Sequence, residues 1–199
     1  MTDRIPFYCI GISYNNADAD TRGTFTLDEG SIHALQLAAK EKGCKEMLLL
    51  NTCNRTEIYV WGKEVQTVQH LLCSHSNGSP EVLKEKGYLL NGQQALHHLF
   101  RVGTGLESQI LGDFEVIGQL KQSFYRAKKM GLINGHFERL VNAVIQASKR
   151  IKTETKISTG ATSVAFAAVQ YILKNVEAFQ QRRLYCLEQE KLEETLAKI

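Results

Sequence analysis

A chain of 199 residues, 43% hydrophobic and 23% charged, is long enough to close a sizeable core, and its composition excludes a disordered or fibrous chain. Lys and Arg number 24 against 21 Asp and Glu, a formal charge of +3 that does not by itself argue for a nucleic-acid partner. The five cysteines, Cys9, Cys44, Cys53, Cys73 and Cys186, are odd in number and contain no CxxC. That spacing fits neither a disulfide framework nor a metal site, and it points to a reducing, cytoplasmic setting. The N-terminus has no apolar segment of signal-peptide length, and no stretch approaches a membrane span.

In chain order, "FYCIGIS" (Phe7 to Ser13) reads as a first strand. "TLDE", from Thr26, has the form of a capping box opening a helix that carries Ile32, Leu35 and Ala39 inward and ends near Gly43. "KEMLLLN" and "TEIYVWG" are strands of a hairpin, the first read with alternating burial up to Asn51. A helix from Glu64 to His75 follows, then a loop "SNGSP" and a fourth strand "GYLLN". The order β-α-β-β-α-β predicts an α+β fold: a ferredoxin-like split βαβ sheet over about residues 5–91, followed by a helical layer.

From Asn91 the pattern turns helical. "NGQQ" reads as an N-cap with Gln94 reaching back, ahead of Ala95, Leu96, Leu99 and Phe100. The next helix runs from about Phe114 to Met130 and stops at Gly131. A third carries Phe137, Leu140, Val141, Val144, Ile145, Ser148 and Ile151 on one face, and a fourth spans about Thr162 to Lys174. Residues 1–150 are thus expected to form one domain, with helices over about 92–157. Residues 158–199 form a helical extension in which Leu184, Leu187, Leu192 and Leu196 fall roughly on one side.

The chemistry concentrates in "NTCNRTE". Cys53 falls in the connection between two strands, where a rigid sheet presents side chains to ligands. A cation nearby, such as Arg55, would favour the thiolate that attacks carbonyls, and its guanidinium can grip a carboxylate. His98 shares a helix face with Ala95 and Val102 and is a candidate acid or base beside a thiol. Ser108, Asp113 and Glu115 sit in a Gly-flanked turn ahead of a helix. "GTGLES" follows a helix and lacks the third glycine, so it is no dinucleotide fingerprint. The cations Lys121, Arg126, Lys128, Lys129, Lys149, Arg150 and Lys152 are candidates for a phosphate backbone.

Together, "NTCNRTEIY", "HHLFRVGTGLESQILGDFEVIGQLK" and "RIKTETKISTGATSVAFAAV" resemble glutamyl-tRNA reductase, the enzyme that makes glutamate-1-semialdehyde for tetrapyrrole synthesis by the five-carbon route. The resemblance implies that Cys53 is the nucleophile forming a thioester with the glutamyl group and that His98 is the histidine important for activity. It places Thr52, Asn54, Arg55, Ser108 and Gln119 in the substrate site. It also puts Asp113, Phe114 and Glu115 there, where the family's usual sequence is Glu-Pro-Gln. It implies NADPH as reductant and no metal, glutamyl-tRNA as substrate, glutamate-1-semialdehyde aminomutase as a candidate partner, and homodimers of the full-length enzyme. No glycine follows Gly160, so the NADPH-binding domain is expected to be missing from this chain, leaving thioester formation and hydrolysis as its chemistry. The alternative is a non-catalytic tRNA-binding or regulatory module of the same fold.

Overall fold

The computed structural model of the chain describes residues 6–155, 157 and 164–175. Its elements are β1 (Phe7–Ser13), α1 (Ala19–Thr24), α2 (Glu29–Glu41), β2 (Met47–Thr52), β3 (Arg55–Trp61), α3 (Val65–Ser74), α4 (Pro80–Lys86), β4 (Tyr88–Asn91), α5 (Gln93–Gly103), α6 (Glu115–Lys129), α7 (Gly135–Glu154) and α8 (Val164–Asn175). The four strands form one antiparallel sheet in the order β2-β3-β1-β4. β3 therefore lies between β1 and β2, and β1 between β3 and β4.

Both faces of this sheet are covered. Side chains alternate across a strand, so Phe7, Cys9, Glu57, Tyr59 and Tyr88 share one face while Ile10, Ile12, Ile58 and Leu89 share the other. On the first face Phe7 meets Phe137 of α7 edge-on at 5.7 Å, and His98 of α5 lies against Tyr59 and Tyr88. On the second, Ile10 and Leu89 share a depression with Gln69 of α3 and with Leu83 and Lys84 of α4. Covering both faces corrects the expected alternation in β2: Met47, Leu48, Leu49 and Leu50 are all buried.

Two short helices escaped the sequence reading. α1 has six residues and α4 seven, capped by the side chains of Asp18 and Ser79, and "SNGSP" is the entry to α4 rather than a simple loop. Two expected caps also move. α2 starts at Asp28, whose carboxylate accepts from Ser31 N, so Thr26 is not the cap. α5 starts at Gly92, whose φ of 53° suits a residue without Cβ, and no side chain caps it, because Asn91 is still in β4. The fourth predicted helix is α8; the expected tail helix lies outside the described residues.

α6 docks along the β2 edge, and the turn after it adds a bond to the sheet, Met47 N donating to Leu132 O at 2.9 Å. That placement carries the start of α6 to the β2–β3 turn.

Candidate functional site

The β2–β3 hairpin closes in two residues, Cys53 and Asn54, with Thr52 and Arg55 paired across its base. Thr52 Oγ1 accepts from the backbone N–H of Asn54 (3.2 Å) and of Arg55 (3.1 Å), fixing the turn from inside. Asn51 anchors it from behind: its amide donates to Leu27 O at 2.8 Å, and its oxygen accepts from Thr56 Oγ1 at 2.9 Å. The polar residues around the cysteine hold a hairpin whose tip leaves the Cys53 side chain exposed.

Beside that tip lies a small cavity of about 50 Å³ lined by Thr52, Cys53, Asn54, Arg55, Ser108, Asp113, Glu115, Val116 and Gln119. Three separate segments build it. The hairpin gives the first four. Ser108 comes from a loop that Gly112 N closes onto Gly105 O at 3.0 Å. Gly105 takes a φ of +74°, and a Cβ there would lie 2.7 Å from Asp113 O, so a side chain would push the loop off the start of α6. The remaining residues come from that start, where Asp113 Oδ1 accepts from Glu115 N at 2.9 Å.

Arg55 has already found a carboxylate inside the chain. It is 3% exposed; its Nη1 donates to Glu57 at 2.8 Å and its Nη2 to the backbone oxygen of Glu107, which ties the hairpin to the Ser108 loop. Glu57 is fully buried. Besides Arg55, its carboxylate accepts from Tyr59 OH (2.5 Å) and Tyr88 OH (2.5 Å), and His98 Nε2 lies 2.9 Å from it. A carboxylate can only accept, so His98 carries its proton on Nε2 in this contact. Burial pushes the Glu57 carboxyl up, but Arg55, His98 and Tyr59 outweigh it and hold it down at about 2. Burial, reinforced by the Glu57 charge, pushes the hydroxyls of Tyr59 and Tyr88 well above the ordinary phenol value, so both stay donors.

Gly11 makes this cluster possible. In the register Glu57 pairs with Gly11 and Gly11 with Tyr88, so the glutamate and tyrosine meet across the middle strand over a residue without a side chain. A Cβ at Gly11 would sit 2.7 Å from Thr56 O and 2.8 Å from Glu57 Cγ.

The structure therefore separates two groups that the sequence reading put together. His98 does not line the Cys53 cavity; it reaches it only through Glu57 and Arg55. The thiol near His98 is Cys9, whose sulfur lies with the Glu57 and His98 ligand atoms inside 4.8 Å. Cys9 is fully buried, and desolvation, with the Glu57 charge adding to it, pushes its thiol well above the ordinary value. Phe114 is also outside the cavity lining; its ring lies under Lys152 Nζ, 5.5 Å from the centroid. The sequence reading missed Glu57, Tyr88, Gly11 and Val116. The first left a signal in the alternation Arg55, Glu57, Tyr59, which places an acid and a base on the same face of a strand.

Residues 10–155 match the family model described as glutamyl-tRNAGlu reductase, N-terminal domain. The chain belongs to this glutamyl-tRNA reductase N-terminal domain family. A glutamyl-tRNA reductase of Christiangramia forsetii is 54% identical over 178 residues, covering 89% of the chain and 43% of the relative. Glutamyl-tRNA reductase 2 of Flavobacterium johnsoniae is 53% identical over 170 residues, 85% of the chain and 39% of the relative. Among solved structures, the glutamyl-tRNA reductase from Methanopyrus kandleri superposes with a TM-score of 0.69 at 26% identity, over 85% of this chain and 40% of that one. The chain thus spans about two-fifths of the length of these relatives. Among the described residues no helix is long and apolar enough to cross a membrane.

Proposed function

We propose that this chain is the substrate-binding and acylation domain of a glutamyl-tRNA reductase, with Cys53 as its nucleophile. The observation that carries the reading is the cavity itself: it brings Cys53 together with Thr52, Asn54, Arg55, Ser108, Asp113, Glu115 and Gln119, from three segments spread over nearly 70 residues of sequence. The Cys53 thiolate attacks the ester carbonyl carbon of glutamyl-tRNA. The bond to the ribose oxygen breaks, that oxygen takes up a proton and leaves with the tRNA, and the glutamyl group remains on Sγ as a thioester. Ser108 and Gln119 offer neutral polar groups to the amino acid, and Arg55 offers the positive edge of the cavity to its carboxylate. His98 acts as a positioning residue, holding Glu57, which in turn holds Arg55. The strand order supports reading the sheet as ferredoxin-like.

In the reaction that the resemblance implies, NADPH supplies the hydride that takes the thioester to glutamate-1-semialdehyde. The described residues do not fit that cofactor. Their sheet is wholly antiparallel, whereas dinucleotide crevices open at the ends of parallel strands. Gly92 leads from β4 into α5 but is followed by two glutamines, and Gly103 is packed against Val144. The described residues therefore hold the thioester on which the hydride step acts, rather than the cofactor that supplies the hydride. Glutamate-1-semialdehyde aminomutase as a partner and a homodimeric assembly rest on the resemblance alone. A cytoplasmic setting is supported by the free thiols of Cys9, Cys44, Cys53 and Cys73.

Single-turnover incubation with glutamyl-tRNA carrying labelled glutamate tests the reading. Wild type should discharge the tRNA, and Cys53→Ser should not; equal discharge by both would reject Cys53 as the nucleophile.

A further inference from the structure

Along the exposed side of α6, Gly118, Gln122, Tyr125 and Lys129 follow one another at i, i+4, i+7 and i+11, a single helical stripe, and all four are exposed. Tyr125 is 61% exposed, an aromatic ring left in water between cations. Arg126 and Lys128 are paired with Glu29 and Glu138, while Lys121 and Lys129 have no acidic partner within 4.0 Å among the described residues. Gly118 is unusual in another way. It sits inside a helix, where glycine is less favourable than alanine, yet a Cβ there would meet nothing within 4 Å. No packing contact of the described chain requires it. The stripe borders the cavity, because Glu115 and Gln119 of the same helix line it. Gln119 and Tyr125 are about 9 Å apart along the axis at 1.5 Å per residue.

We propose that this stripe is the bed on which the unpaired 3′ end of the aminoacylated RNA lies as it enters the Cys53 cavity. Tyr125 stacks on a base of that single strand, Lys129 meets a phosphate, and Gly118 leaves room for the strand to pass close to the helix. Single-stranded RNA is bound in this manner, by an aromatic face for the base and a cation for the backbone. The cations left unpaired among the described residues argue against an apolar partner surface, and the continuity with the cavity, into which an aminoacylated 3′ end must reach, selects RNA over an acidic protein surface. The proposal rests on the aminoacyl-tRNA reading above but not on the identity of the nucleophile.

The test is binding of the whole chain to two RNA probes, an acceptor-stem hairpin with a single-stranded 3′ overhang and the same hairpin with a blunt end. Tyr125→Ala should weaken binding of the overhang probe by on the order of tenfold, as loss of a base-stacking ring does, and leave blunt-end binding unchanged. Tyr125→Phe, which keeps the ring, should retain wild-type affinity. Gly118→Leu should weaken overhang binding without lowering thermal stability. Lys129→Gln should lower the slope of log affinity against log salt by about one. An overhang affinity unchanged in Tyr125→Ala, or reduced equally for both probes, would overturn the proposal. A wild-type chain that binds neither probe would overturn it along with the tRNA reading. Normal RNA binding combined with failure of Cys53 to take up the glutamyl group would reject the nucleophile and leave this surface standing.

Discussion

Glu57 is a fully buried acid that stays ionised because four donors surround it, and its removal should be felt in two ways. The carboxyl is held at about 2 in the fold against an ordinary value of 4.5. Between those values the unfolded chain takes up a proton that the folded chain refuses, so stability rises with pH across the window and is lost as pH falls from about 4.5 toward 2. Urea unfolding of wild type should show this slope, and Glu57→Gln should flatten it; parallel acid limbs would contradict the pairing. At pH 7 the same substitution strands the Arg55 guanidinium without its counter-ion, and the expected loss is on the order of 3 kcal/mol. The alternation Arg55, Glu57, Tyr59 signals the pair in the sequence but not its burial, for a physical reason. A glutamate two positions after an arginine in a strand reads as a solvated pair, and only the register that sets it over Gly11 and against Tyr88 shows it to be interior.

At the scale of elements, the four strands and the longer helices were legible in place, whereas the short helices α1 and α4 were not. α7 was visible because only one of its faces is buried, with Phe137, Val141, Val144 and Ser148 inward. β2 has no polar face to show, since helices cover both sides of the sheet, and period 2 disappears from its sequence. Caps were misplaced where a threonine and an aspartate compete within three residues, as Thr26 and Asp28 do. The cap of α7 is clearer: Asn134 Oδ1 accepts from His136 N and Phe137 N, both at 2.9 Å, and Asn134 Nδ2 also donates to Glu46. Asn134→Ala should therefore cost about 1 kcal/mol or somewhat more in chemical denaturation. α5 and α7 cross where Gly103 has no side chain; a Cβ there would fall 2.2 Å from Val144 Cγ1. Gly103→Ala should lower stability by about 1–3 kcal/mol through overpacking, and a neutral melting temperature would show that the two helices can separate freely.

Taken as a whole molecule, the chain places a two-residue turn, a glycine-closed loop and a helix start around one thiol, and uses the sheet behind them to keep Arg55 in place. The turn, Ser108 and the start of α6 could be nominated from the sequence because each lies at an element boundary rich in polar residues. Their convergence could not, since it depends on α6 docking at the β2 edge. The separation of His98 from Cys53 was hidden for the same reason: helix periodicity gives the side on which a histidine lies but not which strand residue it meets. The most direct measurement is intact-mass and peptide analysis of the wild-type chain quenched in acid after brief exposure to glutamyl-tRNA. The proposed function predicts a single added glutamyl group, on the peptide containing Cys53 and released by hydroxylamine as a thioester is. A glutamyl group on another residue, or an adduct that persists in Cys53→Ser, would contradict the assignment of the nucleophile to this turn.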